Sequence, residues 1–211
     1  MLKRSVSILL LMFTAVLVQA AEPRFVDGTH YQTLATPLKT SYRGAEVGEI
    51  MEFFSYGCIH CYNFEPAVAR FLAEKPESIR FTRVPVMFNE RQAPEVRAYY
   101  VVELLKLGTE AHKAIFNEIH EERRPLRTDA QFATFFGRFD VSEEAYLAHA
   151  YSFGVTAKVN TSIYLTGNSN ISGTPAIMAN GKYLIDSAAV GGNEQSIYAA
   201  KWLVEQDAQV Q

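Results

Sequence analysis

Glu49-Ile50-Met51-Glu52-Phe53-Phe54-Ser55-Tyr56-Gly57-Cys58-Ile59-His60-Cys61, residues 49–61, is the stretch that decides the fold. Its first half is a short apolar run, read as a buried strand, and Glu52 is the charge that interrupts its middle. From Tyr62 to residue 73 the apolar residues recur at helical spacing. The change of period falls on the Cys-x-x-Cys, so Cys58 is expected at or near a helix N-terminus. The unpaired backbone N–H groups and the helix dipole there favour an anion, in this case a thiolate. Cys58 and Cys61 are the only cysteines of the 211 residues. The pattern is that of a redox-active dithiol.

Other uses of two close cysteines fit less well. A structural zinc site needs two more ligands. The candidates are His30, His60, His112, His120 and His149, and none forms a second close pair at ligand spacing. Attachment of a c-type haem requires Cys-x-x-Cys-His, and residue 62 is Tyr. A purely structural disulfide closing so short a loop removes little chain entropy. No metal and no cofactor are therefore expected.

The N-terminus gives the compartment. Lys3 and Arg4 precede an apolar stretch from Val6 to Val18, and Val18-Gln19-Ala20-Ala21 supplies small residues for cleavage. This reads as a secretory signal peptide over residues 1–21, with cleavage after Ala20 or Ala21. Its apolar core of about 13 residues falls short of the roughly 20 that span a bilayer. The mature protein is expected in a bacterial periplasm, an oxidising compartment. Removing Lys3 and Arg4 from the 20 basic residues leaves 18 against 23 acidic, a net charge of −5. That excess argues against nucleic acid and anionic membranes as partners. With 48% apolar and 12% aromatic residues the chain can build a substantial core.

Around the decisive stretch the elements fall in order. A short strand is expected at residues 30–34. The Cys-x-x-Cys helix ends near Glu74-Lys75-Pro76, and a second core strand covers residues 79–84. Four helices follow. One is framed by Pro94 and Gly108, and one covers residues 110–122. Thr128 with Gln131 opens a third as a capping box. Ser142 opens the fourth, which runs to about Leu165. Asn180-Gly181 between two short apolar runs predicts a hairpin of residues 176–179 and 182–185. A last helix covers residues 193–206. Without the four middle helices, about 92–170, the pattern is a thioredoxin-like α/β core. The chain thus reads as one domain, residues 22–211, with an inserted four-helix subdomain.

The run from Phe53 to Tyr62, the helical insertion, Gly173-Thr174-Pro175-Ala176 and Asn180-Gly181-Lys182-Tyr183 together resemble the DsbA-type periplasmic thiol:disulfide oxidoreductases. The likeness extends from about Tyr31 to Trp202. It implies an enzyme that introduces disulfides into reduced exported proteins and is reoxidised by a DsbB-like membrane oxidase. It further implies a monomer without stable membrane insertion. By the same resemblance Cys58 is the exposed nucleophile, Cys61 its buried partner and His60 the histidine between them. Pro175 matches the family's cis-proline, which lets the backbone at Thr174 pair with an extended substrate. Glu52 matches a buried acid suited to proton exchange with Cys61, and Arg83 a basic position that can partner it. Two residues depart from the usual pattern: Ile59 stands where proline is usual, and Thr174 is more typical of the isomerase branch. Both bear on the redox poise. A disulfide isomerase or specialised reductase of the same fold is the alternative. An isomerase of the periplasmic type carries a dimerisation domain before the core, for which about 28 mature residues before Glu49 leave no room.

Overall fold

The structure is a computed structural model and describes residues 24–210. The expected signal peptide lies outside the described residues. Strands β1 (Tyr31–Thr33), β2 (Gly48–Phe54), β3 (Ile79–Pro85), β4 (Ala176–Ala179) and β5 (Tyr183–Ile185) form one sheet in the order β1-β5-β4-β2-β3. β2 and β3 pair in parallel, which requires a crossover, and helix α1 (Ile59–Glu74) supplies it. β4 and β5 are antiparallel neighbours, and β5 also pairs with β1. This is the thioredoxin-like arrangement expected from the sequence.

β2 is buried at all seven positions, between β3 and β4. Its alternation divides the core. Ile50 packs with Phe64, Val68 and Phe71 of α1 and with Ile197, Leu203 and Val204 of the last helix. Met51 and Phe53 point to the opposite face, against Val84, Met178 and Leu165. Glu52 and Phe54 therefore share the α1 face with Ile50.

Five helices lie between β3 and β4: α2 (Ala93–Leu105), α3 (Gly108–His120), α4 (Asp129–Phe136), α5 (Glu143–Ala150) and α6 (Phe153–Asn168). The final helix is α7 (Asn193–Val210). Two expectations are corrected here. The stretch read as one helix from Ser142 is two, so the insertion holds five helices rather than four. Ser142 caps α5 through the Ala145 N–H at 3.1 Å. Ser152, whose Oγ accepts from the Val155 N–H at 3.4 Å, starts α6 afresh. Gly108 is not the stop of α2. Lys106 takes the left-handed cap at φ 54°, and Gly108, at φ 69°, opens α3. The capping box of Thr128 and Gln131 forms at the start of α4 as expected.

The hairpin turn follows its sequence signal. Asn180 and Gly181 both have positive φ, 53° and 62°, as the Asn-Gly signal requires, but residues 180–182 connect the paired Ala179 and Tyr183, so β5 begins at Tyr183 and not at Lys182 as expected. Gly181 also abuts the chain before β2: a Cβ there would lie 2.5 Å from the Leu38 carbonyl oxygen. Gly181→Ala combines a disfavoured φ with a backbone clash and is expected to cost about 1–3 kcal/mol. At about 2–4 °C per kcal/mol for a chain of this size, a thermal melt reads it directly. An unchanged Tm would contradict the packing of this turn.

Candidate active site

Tyr56, wholly buried, ends the approach from β2 and packs into the core of the inserted helices with Phe54, Phe116 and Val96. The chain then turns through Gly57, and the Cys58 N–H donates to the Ser55 carbonyl at 3.2 Å. Cys58 is the N-cap residue of α1, with extended backbone (φ −89°, ψ 114°). No side chain caps this end among the described residues, which leaves the first-turn N–H groups facing the sulfur, although the Cys61 N–H also donates to the Cys58 carbonyl at 3.1 Å. Both thiols are free; Cys58 is partly exposed and Cys61 is buried.

Burial and hydrogen bonding divide the two. The Cys61 thiol donates to Cys58 and is the main cause that holds the Cys58 thiol down, to about 5 from an ordinary 9.0. Burial opposes this. The Thr174 side chain and the backbone N–H groups of Cys61 and His60 add to it. The same contact with Cys58, and then burial, pushes Cys61 well above the thiol range. His60 contributes its main-chain N–H, while its imidazole is exposed and lines a groove with Thr174 and Pro175. That groove encloses about 590 Å³ and continues along Ile171–Gly173 and Leu184–Ser187. The Thr174–Pro175 bond is cis, and the Thr174 carbonyl lies 3.3 Å from Cys58 Sγ.

Glu52 is completely buried beneath α1. The parallel register sets it opposite Arg83, whose Nε donates to Glu52 Oε2 at 3.1 Å. Nη2 of Arg83 reaches both carboxylate oxygens of Glu65, at 3.1 and 3.0 Å. Glu65 is four residues after Cys61, so it shares a face of α1 with that cysteine. His112 of α3 lies 3.2 Å from Glu65 through Nε2, and the Tyr56 hydroxyl lies 2.8 Å from Nδ1. A carboxylate only accepts, so Nε2 carries the proton and Nδ1 accepts from Tyr56. Burial pushes the Glu65 carboxyl up, but His112 and Arg83 outweigh it and hold it low. Glu52 goes the other way. Burial raises it to about 7, Arg83 only partly offsets this, and Glu65 adds to the rise. One guanidinium thus serves two carboxylates, and the less well solvated one holds a proton near neutral pH. Glu52 Oε1 has no hydrogen-bond partner among the described residues.

Glu65 and His112 were not singled out from the sequence as parts of this site. Glu65 had a legible signal, a charge four residues after Cys61 on a face otherwise made of Phe64, Val68 and Phe71. Among the described residues no group of three or more His, Cys, Asp or Glu is placed to hold a metal ion.

Known proteins carry the same architecture. A family model described as thioredoxin matches residues 44–196. The thiol:disulfide interchange protein DsbA of Azotobacter vinelandii is 32% identical over 184 residues, covering 87% of this chain and 85% of that protein. The DsbA of Burkholderia cepacia is 31% identical, with 97% of each chain covered. This chain belongs to the DsbA family. The crystal structure of Pseudomonas aeruginosa DsbA superposes with a TM-score of 0.80 at 28% identity, over 88% of this chain and 96% of that one. As a DsbA-family member the protein is a protein disulfide oxidoreductase of thioredoxin fold.

A stability prediction follows from the Cys58 thiol. A group whose folded value lies below its unfolded one stabilises the fold above the unfolded value, and that contribution fades as pH falls through the folded value. For Cys58 the window runs from about 9 down to about 5. The reduced form should therefore gain on the oxidised form as pH rises from 5 to 8. After allowance for the half-exposed sulfur the gain is on the order of 2 kcal/mol, about 4–8 °C. Glu52 is present in both forms and largely cancels. Paired melts of the two redox forms test this, and an oxidised form that melts higher at pH 8 would contradict it.

Proposed function

We propose that this DsbA-family protein donates its Cys58–Cys61 disulfide to reduced exported proteins in the periplasm, as a monomer, and is reoxidised by a DsbB-like membrane oxidase. The observation that carries the reading is the asymmetry of the pair. An accessible, stabilised thiolate at a helix N-terminus is set against a buried neutral thiol, beside a groove that admits an extended chain. A dithiol form stabilised in this way makes the disulfide a good oxidant.

The exchange runs in two displacements. A substrate thiolate attacks Cys58 Sγ, the Cys58–Cys61 bond breaks, and a substrate–Cys58 disulfide forms. The Cys61 sulfur leaves with the electron pair and takes a proton, for which Glu52, a buried carboxyl joined through Arg83 to Glu65 of α1, is the carrier. A second substrate thiolate then attacks the substrate sulfur, and Cys58 leaves as the stabilised thiolate. Two substrate thiols have become a disulfide, and the enzyme has gained two electrons. Thr174 and the groove hold the substrate backbone by strand addition. No helix among the described residues is long and apolar enough to cross a membrane. The isomerase or reductase alternative is not favoured by the relatives found.

The test mixes oxidised protein with a reduced, unfolded protein of several cysteines in glutathione-free buffer. Substrate disulfides should appear in step with loss of the Cys58–Cys61 disulfide. Failure to oxidise the substrate, together with activity of the reduced form on a scrambled one, would establish the isomerase instead.

A further inference from the structure

The turn that presents Cys58 is held from outside the thioredoxin-like core. Glu95, in the first turn of α2, is buried, and both of its oxygens face this turn. Oε1 accepts from Ser55 Oγ at 2.9 Å, and Oε2 accepts from the Gly57 N–H at 3.0 Å. From the other side His120, the last residue of α3, donates Nε2–H to the Tyr56 carbonyl at 2.8 Å. Its ring is stacked on Tyr62, with centroids 5.2 Å apart and planes 20° from parallel. Three consecutive residues before the nucleophile are thus each tied to a helix of the insertion. A buried carboxylate is costly unless donors meet it; the turn supplies a donor to each oxygen of Glu95, and Gln92 adds to them. Glu95 makes no hydrogen bond or ion pair with the Glu52–Arg83–Glu65 chain.

We propose that Glu95 and His120 are positioning residues, which fix the Ser55–Gly57 turn so that Cys58 keeps its place over the N–H groups of α1 and beside Thr174. Neither side chain touches the sulfur. Their effect passes through the backbone of residues 55–57. A nucleophile presented on a short turn is sensitive to such anchoring, because the N–H groups that hold its thiolate are directional. The inference rests on the redox role of Cys58 but not on the direction in which the protein works.

Glu95→Gln and Glu95→Ala separate position from charge. A glutamine can accept from the Gly57 N–H through its carbonyl and donate through its amide to Ser55 Oγ, which keeps the anchor without the charge. Alanine loses both. The readouts are the Cys58 titration, followed by thiolate absorbance, the equilibrium constant with glutathione, and Tm. Glu95→Ala should raise the Cys58 titration midpoint and make the protein at least tenfold less oxidising. Glu95→Gln should stay within threefold of the native constant. His120→Leu should move in the direction of Glu95→Ala. Loss of a nearby negative charge alone would instead lower the midpoint in both Glu95 variants, and that result overturns the proposal. So does an Ala variant that loses Tm but keeps the native titration and constant. If Glu95→Ala does not fold, Ser55→Ala removes from the turn side the bond to Glu95 and the one that Ser55 Oγ accepts from the Gly57 N–H, with an expected shift of at least threefold the same way and none if the proposal is wrong. A native protein that fails to exchange with glutathione at all would speak against the redox role itself, a different outcome.

Discussion

Cys61→Ser is expected to stop turnover while leaving Cys58 fully reactive. The substituted protein should attack oxidised glutathione or a substrate disulfide and then remain as the Cys58 mixed disulfide, because the thiol that resolves it is gone. The asymmetry of the pair predicts which sulfur carries the adduct. Cys58 is accessible and mostly thiolate at pH 6, given a value of about 5, whereas Cys61 is wholly buried and held protonated. Mass spectrometry after exposure at pH 6 should find one adduct, on Cys58. Cys58→Ser should form none under the same conditions. An adduct on Cys61 in Cys58→Ser, or release of the Cys58 adduct at native rates from Cys61→Ser, would show that the roles are assigned wrongly.

The elements that present this chemistry were legible because their signals are local. The strand before Cys58, the helix after it, the Thr128 capping box and the Asn180-Gly181 hairpin each depend on a few neighbouring residues, and each forms where it is read. The misread points are also local. Tyr151-Ser152 contains a cap that competes with continuing the helix, and nothing in the periodicity says which wins. Lys106 takes a left-handed cap that glycine would be expected to fill.

Most of the site's surroundings were not legible, because they come from contacts between distant elements. Glu95 follows Pro94 at the start of a helix, where an acid has an ordinary explanation in the helix dipole; its two bonds to residues 55 and 57 appear only when α2 packs on the turn. His112 and His120 are eight residues apart on α3, a spacing that puts them near one face, but their partners, Glu65, Tyr56 and Tyr62, belong to the other subdomain. Glu52 was readable as a charge inside an apolar strand. Its pairing with Arg83, implied by the resemblance, is made by the β2–β3 register. The insertion therefore does more than cover the sheet: it completes the polar network under Cys61 and the anchors of Cys58.

Glu52→Gln is expected to slow the step in which Cys61 attacks a Cys58 mixed disulfide by about a hundredfold at neutral pH, the low end for loss of a positioned general base. In the mixed disulfide the contact with the Cys58 thiolate is gone, but burial still disfavours the Cys61 thiolate, so its attack requires a base within the buried site. Glu52 can be that base, because burial lifts its carboxyl to about 7 and its Oε1 is not engaged by Arg83 or any other described residue. The sign follows from that value. Below about 7 Glu52 is protonated and cannot accept, and above it the carboxylate can. In the native protein, the single-turnover rate of glutathione release from the Cys58 adduct should rise with pH through an inflection near 7. Glutamine keeps the size and one acceptor but cannot take a proton, so the inflection should vanish and the rate should follow only the ionisation of Cys61 at much higher pH. Arg83→Met should raise the inflection, because Arg83 holds the Glu52 value down. An inflection near 7 that survives in Glu52→Gln would assign it to another group and overturn this role for Glu52.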